Sequence, residues 1–200
     1  AYDTAKLARE KKLYNVFVTN GYMTPETIAK MDVIDASRID LKAFTEKFYR
    51  DVCGNASLEP VLKSIKLLHA KQHIELITLL IPTLNDSNEE LRALSKWVAN
   101  VDKNIPLHFT AYYPSNKMML PPTPKETLER ARKIAMEEGV RYVYTGNAPG
   151  EEGENTYCPN CGELLIRRNG FSVLENALTR DGKCPECAEK INVITKIKKV

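Results

Sequence analysis

The sequence predicts an α/β protein with a parallel sheet, followed by a small all-β module that holds a metal ion. Two observations lead to this prediction. Strand and helix patterns alternate with short links through residue 146, and such alternation gives parallel strands joined by right-handed crossovers. Four of the five cysteines then form two pairs, "CPNC" and "CPEC". We place the domain boundary after residue 150, so that residues 1–150 form the α/β domain and residues 151–200 form the cysteine module.

The order of the elements follows from hydrophobic periodicity. Apolar residues three and four apart predict helices over "DTAKLAREKK", "TPETIAKMDVI", "LEPVLKSIKLLHAK", "SNEELRALSKWVANV" and "TPKETLERARKIAMEEG". Runs rich in β-branched and aromatic residues predict strands over "YNVFV", "SRIDLK", "IELITLLIP", "PLHFTAYYP" and "RYVYTG". Asp3, Thr24 and Ser87 stand where N-capping residues are expected.

The stretch "VTNGYMTPE", residues 18–26, has two interpretations when it is taken alone. Asn20-Gly21 after a strand is a strong hairpin signal. Thr24-Pro25, however, is typical of the start of a helix. Because the neighbouring strands are predicted to be parallel, we interpret residues 19–22 as a βα loop at the carboxyl end of a strand. This is the edge at which such folds carry their sites.

The four paired cysteines, Cys158, Cys161, Cys184 and Cys187, predict a tetrahedral thiolate metal site. Zn is favoured, and rubredoxin-like iron is the alternative. Two disulfides are disfavoured because no signal peptide opens the sequence. Between the pairs, Asn169-Gly170 predicts a type I′ hairpin. Cys53 stands alone and is interpreted as an inert, partly buried residue.

Composition excludes several classes of function. The chain is 43% hydrophobic and 28% charged, and its formal net charge is +3. This charge is small and evenly mixed, which does not favour binding to nucleic acid or to a membrane surface. No apolar run approaches the roughly 20 residues of a membrane span. The expected compartment is therefore the cytoplasm, where cysteines stay reduced.

Polar side chains alternate along two of the predicted strands. In "RIDLK", Arg38, Asp40 and Lys42 share one face. The simple interpretation is a solvated face. In a β/α barrel, however, helices cover the outer face, so a polar face lines the interior, where charges need a partner or a ligand. We favour a binding site over a structural ion pair. His108 on "PLHFTAYYP" shares a face with Thr110 and Tyr112, and for it a site and a core histidine are equally favoured.

A resemblance to a known family covers essentially the whole chain. The stretches "VTNGYMTPE", "RIDLKAF", "LLIPTLND", "PLHFTAYYP", "TPKETLERARKIAMEEGVRYVYTGNAPG" and the closing cysteine pairs occur in the family's order. Together they resemble the C-terminal part of radical SAM enzymes of the AmmeMemoRadiSam type, which are similar to pyruvate formate-lyase activating enzymes. The resemblance implies the latter half of a partial parallel β/α barrel, followed by a zinc-ribbon-like module.

The family's chemistry supplies further expectations. The resemblance implies a [4Fe–4S] cluster and S-adenosylmethionine, whose reductive cleavage gives a 5′-deoxyadenosyl radical that abstracts hydrogen from a substrate. It implies a one-electron reductant such as ferredoxin or flavodoxin, and a protein as one class of substrate. It also implies that Thr19, Asn20, Asp40, Lys42 and His108 bind S-adenosylmethionine. No catalytic residue is assigned.

The sequence departs from the family's pattern in three places. Val18 stands where the activating enzymes carry an acid, "ELITLLIP" lacks their arginine, and the cluster motif Cys-x3-Cys-x2-Cys does not occur in these 200 residues. We therefore expect the cluster ligands to lie upstream of Ala1 and the parent protein to be the enzyme. The alternative is a non-enzymatic β/α scaffold whose zinc ribbon binds a partner protein.

Overall fold

The computed structural model describes residues 1–148 and 152–194. Its elements follow the predicted alternation of strands and helices. In chain order they are α1 (Tyr2–Glu10), β1 (Val16–Thr19), α2 (Pro25–Ala29), a 3-10 turn (Met31–Val33), β2 (Ala36–Asp40), α3 (Glu46–Asp51), α4 (Glu59–His69), β3 (His73–Leu80), α5 (Asn88–Asp102), β4 (Leu107–Ala111), α6 (Lys125–Glu137), β5 (Val143–Gly146), a second 3-10 turn (Glu152–Glu154), β6 (Thr156–Tyr157), β7 (Leu164–Asn169) and β8 (Ser172–Asn176).

The strands form two sheets. Five strands, in the order β1-β2-β3-β4-β5, make a parallel sheet, and β6, β7 and β8 make a small antiparallel sheet. The predicted fold class, a parallel α/β part followed by a small all-β module, is confirmed. Strand order equals chain order, as expected when each helix crosses over to the next strand.

The helices begin where the capping residues predict, with one exception. Thr24 Oγ1 accepts a hydrogen bond from the Thr27 amide at 3.3 Å, and Ser87 Oγ accepts one from Glu90 at 3.2 Å. The prediction for Asp3 is wrong, because α1 begins at Tyr2 and places Asp3 in its first turn. There its negative charge still interacts favourably with the positive end of the helix dipole. None of the helices in the described ranges is both long and apolar enough to cross a membrane.

Two compact units divide the chain, Ala1–Thr78 and Leu79–Ile197. The first is organised around fully buried aliphatic side chains of β2, β3 and α4, such as Ile39, Leu76 and Ile65. The predicted domain boundary after residue 150 lies among residues 149–151, outside the described residues, and stays a prediction.

The hairpin of the small sheet differs from the prediction in its turn. Asn169 pairs with Ser172, so the two loop residues are Gly170 and Phe171, not Asn169 and Gly170. Gly170 has a φ of 56°, whereas Phe171 is not among the residues with positive φ. A type I′ turn needs positive φ at both loop positions, so the predicted turn type is wrong. The register of β7 and β8 moves the glycine to the first loop position.

Candidate cofactor and metal sites

The loop after β1 is a tight turn and leads directly into α2, as predicted from the sequence. Thr19 Oγ1 accepts a hydrogen bond from the Gly21 amide at 3.1 Å, and Asn20 Oδ1 accepts one from the Tyr22 amide at 3.0 Å. Thr19 pairs with Ile39 of β2 and therefore lies on the opposite face of the sheet from Asp40. Asn20 is exposed at the carboxyl edge of the sheet. Both side chains thus shape the turn, and their contact with a cofactor stays a prediction.

Gly21 has a left-handed backbone conformation and occupies a crowded position in this turn. Its φ is 71°, and a Cβ at this position would lie 2.9 Å from Ile39 Cγ2 and 3.1 Å from Val61 Cγ1. We expect Gly21→Ala to lower the free energy of unfolding by about 2 to 3 kcal/mol, because it adds overpacking to backbone strain. Gly54→Ala is the matched control, since Gly54 has a φ of 70° with no atom within 4 Å. Equal losses for both variants in urea unfolding would contradict the packing argument.

Asp40 and Lys42 lie at the end of β2 and form an ion pair. Lys42 Nζ lies 2.7 Å from Asp40 Oδ2, and Arg38 Nη2 lies 3.4 Å from Asp40 Oδ1. The three side chains are 23 to 45% exposed, so the group is open to a ligand. Two cations next to one carboxylate suit a ligand that carries a carboxylate of its own. The structure thus brings Asp40 and Lys42 together, as the alternation in the sequence predicts.

Apart from Val18, sequence reasoning did not single out the neighbours of this charged group. The register places Val18 and Glu75 on either side of Arg38, and His73 Nε2 lies 3.3 Å from Glu75 Oε1. Tyr49 accepts a hydrogen bond from the Lys42 amide at 3.2 Å, and burial raises the pKa of Tyr49 well above its usual range. Tyr49 lies on α3, a helix that was not predicted. The sequence feature that could have predicted α3 is Thr45, whose Oγ1 caps the helix by accepting a hydrogen bond from the Phe48 amide.

His108 lies on β4 in the second unit and is partly buried. Its ring stacks on Tyr144 of β5, with 4.9 Å between ring centroids and 23° between ring planes. Thr110 is also partly buried, whereas Tyr112 is buried and donates its hydroxyl to the Met118 carbonyl at 2.6 Å. The hydroxyl of Tyr112 therefore holds the following loop through Met118. His108 is the titratable side chain of β4.

The four paired cysteines meet at one point in the second unit. All four Sγ atoms lie within 4.8 Å of one another, with 3.5 Å between Cys158 and Cys187 and 3.6 Å between Cys161 and Cys184. A tetrahedral ion with metal–sulfur bonds of about 2.3 Å needs sulfur atoms ~3.8 Å apart. The four thiols therefore fit a single metal ion, as the spacing of the pairs predicts.

Each cysteine pair lies in the same kind of tight turn. The Cys158 amide donates to the Glu163 carbonyl at 2.8 Å, and the Cys184 amide donates to the Glu189 carbonyl at 2.9 Å. A hydrogen bond from the Asn160 side chain, together with one from the Glu189 backbone, lowers the pKa of Cys187 to about 6. Such donors stabilise the thiolate form that binds a metal.

The two turns share a position with positive φ, but they carry different residues there. Gly162 (φ 78°) follows the first pair, whereas Ala188 (φ 59°) follows the second. An alanine is strained in this region and glycine is not. We expect Ala188→Gly to raise the free energy of unfolding by about 0.5 kcal/mol and Gly162→Ala to lower it by about 1 kcal/mol. Denaturant unfolding of the metal-bound protein checks both, and a loss of stability in Ala188→Gly would contradict the strain argument.

The cysteine module packs against the start of β5. Tyr142, Cys158 and Cys184 belong to one buried cluster. The Tyr142 hydroxyl accepts a hydrogen bond from the Asn192 amide at 3.0 Å, and Arg141 forms an ion pair with Glu189. The metal site and the last strand of the parallel sheet therefore share one core within the second unit.

Part of the chain is similar in sequence to a known superfamily, and its fold is similar to that of solved structures. Residues 1–97, just under half of the chain, match the sequence profile of the Radical SAM superfamily, and the parallel sheet agrees with the fold of that superfamily. A domain of pyruvate-formate lyase-activating enzyme from Bacteroides vulgatus has a similar structure, with a TM-score of 0.63 and 18% identity, over 73% of this chain and 89% of that one. At this identity the likeness supports the fold alone.

Two curated relatives come from Methanocaldococcus jannaschii. The chain is 45% identical over 199 residues to uncharacterized protein MJ0808, a match over 96% of this chain and 58% of that protein. It is 28% identical over 139 residues to MJ1632, whose name assigns it provisionally to the glycyl-radical enzyme activating enzymes, over 67% of this chain and 53% of that protein. The chain thus spans little more than half the length of either relative.

Proposed function

We propose that this chain is the cofactor-binding and cysteine-module portion of a radical SAM enzyme of the AmmeMemoRadiSam type, similar to the activating enzymes. The observation that carries the proposal is the ion pair of Asp40 and Lys42 at the carboxyl edge of the parallel sheet, within the residues that match the Radical SAM profile. A lysine suits the carboxylate of S-adenosylmethionine, and an aspartate suits its amine or its hydroxyls.

The cofactors would supply the difficult chemistry and the chain would supply orientation. When bound and reduced, the iron–sulfur cluster provides the electron for cleavage of S-adenosylmethionine. Asp40 and Lys42 would hold the cofactor in place, and Asn20 extends the same edge of the sheet. The missing Cys-x3-Cys-x2-Cys motif leads us to propose that the cluster ligands precede Ala1 in the parent protein. The name of the MJ1632 relative supports a protein as the hydrogen donor.

We propose Zn as the metal of the four cysteines. Four thiolates around one tetrahedral position make a closed structural site, with no coordination position left for S-adenosylmethionine. Metal analysis of protein purified without added metal tests this assignment. One Zn per chain supports it, whereas one Fe per chain with a rubredoxin-like visible spectrum would contradict it.

Binding of S-adenosylmethionine tests the proposed function directly. The parent protein with its cluster reconstituted should bind S-adenosylmethionine with a stoichiometry of about one per chain, as one charged group at the sheet edge predicts. Equilibrium dialysis with labelled cofactor measures this, with S-adenosylhomocysteine as a competitor. No saturable binding to the reconstituted protein would contradict the proposal.

A second candidate function is a non-enzymatic scaffold whose ribbon binds a partner protein. The exposed hairpin favours it, because Phe171, Val173 and Leu174 are apolar and all three are at least 58% exposed. A parent protein that stays colourless after reconstitution with iron and sulfide, carries one Zn per chain and does not respond to S-adenosylmethionine would support this function over the first.

A further inference from the structure

The ring stack of His108 joins two neighbouring strands of the parallel sheet. His108 and Tyr144 are register partners on β4 and β5, so their side chains lie on the same face. With 4.9 Å between centroids and 23° between planes, the two rings are stacked rather than edge to face. The position of the Tyr144 ring therefore limits the orientations that the imidazole can adopt.

The cysteine module makes two polar contacts with Tyr144. Its hydroxyl lies 3.0 Å from Thr156 Oγ1, and the Arg168 guanidinium lies 5.7 Å from the ring centroid. Arg168 Nη1 also donates to Thr156 Oγ1 at 2.7 Å and to the Glu154 carbonyl at 3.1 Å. The ring is thus held at its edge by a hydroxyl and contacted by a cation.

The strands that carry these contacts are tied to the metal site. Thr156 is 1% exposed and lies on β6, two residues before Cys158. β6 pairs with β7, which carries Arg168, and the Arg168 amide donates to Asn155 Oδ1 at 2.7 Å. Closing the four-cysteine site fixes β6, because Cys158 would be one of the metal ligands.

We propose that Tyr144 is a positioning residue for His108, and that the metal-bound cysteine module holds Tyr144 in place. Occupancy of the four-cysteine site then sets the orientation of a histidine on the parallel sheet. The consequence for cofactor binding rests on the proposed function of His108, but the positioning itself does not require it.

The proton NMR signals of the histidine rings give a readout that a general loss of stability would not reproduce. The chain has three histidines, His69, His73 and His108, and only the ring of His108 stacks on Tyr144 among the described contacts. Stacking on an aromatic ring moves the imidazole proton signals upfield, and assignment follows from the peak that is lost in His108→Gln. The experiment uses the metal-bound 200-residue chain without S-adenosylmethionine.

Four variants separate the steps of the argument. Tyr144→Leu should abolish the upfield displacement of the His108 signals, and Tyr144→Phe should keep the ring but broaden the signals, since the bond to Thr156 is lost. Arg168→Met should also displace or broaden them. Arg167→Met is the matched control, because Arg167 lies on β7 next to Arg168 and forms an exposed ion pair with Glu175 of β8. It should leave all three histidines unchanged.

Removal of the metal with a chelator should displace or broaden the His108 signals while those of His69 and His73 keep their positions. The proposal is overturned if the His108 signals are the same in wild type, Tyr144→Phe and Arg168→Met, or if they survive removal of the metal. If Arg168→Met fails to fold, Tyr144→Phe still tests the proposal, because it deletes only one oxygen. A response of His108 in this chain, together with no saturable binding of S-adenosylmethionine to the reconstituted parent protein, would overturn the proposed function and leave the positioning intact.

Discussion

Replacement of Cys184 by serine should remove the metal and destabilise the second unit by more than about 4 kcal/mol, the range typical of losing a structural metal. The Cys184 side chain is 1% exposed and lies in the buried cluster with Tyr142 and Cys158. Its loss therefore opens the metal site and exposes the core that joins the cysteine module to β5. Metal analysis of the purified variant and denaturant unfolding measure the two effects.

Cys53→Ser is the matched control for this variant. Cys53 lies in the first unit, is partly buried and stands outside the four-cysteine group. Burial raises its pKa, as expected for an inert thiol. The control should keep one metal per chain with an unfolding midpoint close to wild type. A full complement of metal and an unchanged midpoint in Cys184→Ser would show that the four thiols do not form a structural site.

Replacement of Asp40 by asparagine should weaken binding of S-adenosylmethionine to the reconstituted parent protein by roughly 10- to 100-fold. This factor corresponds to the free energy of one charge-assisted hydrogen bond. The variant should still fold, because the pair with Lys42 is partly exposed and such pairs contribute no more than about 1 kcal/mol. Lys42→Met should weaken binding by a similar factor. Dissociation constants from equilibrium dialysis measure the loss.

Asp51→Asn is the control with the same chemistry in the same unit. Asp51 Oδ2 lies 3.0 Å from Lys47 Nζ on α3, and this pair is more exposed than that of Asp40 and Lys42. Its substitution should leave the dissociation constant unchanged. Equal effects of Asp40→Asn and Asp51→Asn would mean that the charged edge of β2 does not bind the cofactor.

Local signals in the sequence predicted most of the fold. The caps at Thr24 and Ser87, the alternation of strands and helices, and the spacing of the cysteine pairs all involve residues close together in the chain. Their physical causes are local as well: backbone amides need acceptors at helix starts, and one metal ion needs four nearby thiolates. The same locality explains why Asp40 and Lys42 could be placed on one face in advance.

The contacts that complete the sites could not be predicted in this way. The stack of His108 on Tyr144 and the contact of Arg168 with the same ring join distant parts of the chain, and their formation depends on strand register. The hairpin turn shows the same limit, because a shift of one residue between β7 and β8 moved the loop from Asn169-Gly170 to Gly170-Phe171. Register is set by packing across strands, which a single sequence does not display.

Formation of 5′-deoxyadenosine tests the central claim most directly. The parent protein, purified without oxygen, reconstituted with iron and sulfide and reduced with dithionite, should convert S-adenosylmethionine to 5′-deoxyadenosine and methionine. Chromatography of the quenched reaction measures both products, with Asp40→Asn as the impaired variant. A fully reconstituted protein that forms no 5′-deoxyadenosine and leaves S-adenosylmethionine intact would contradict the assignment as a radical SAM enzyme.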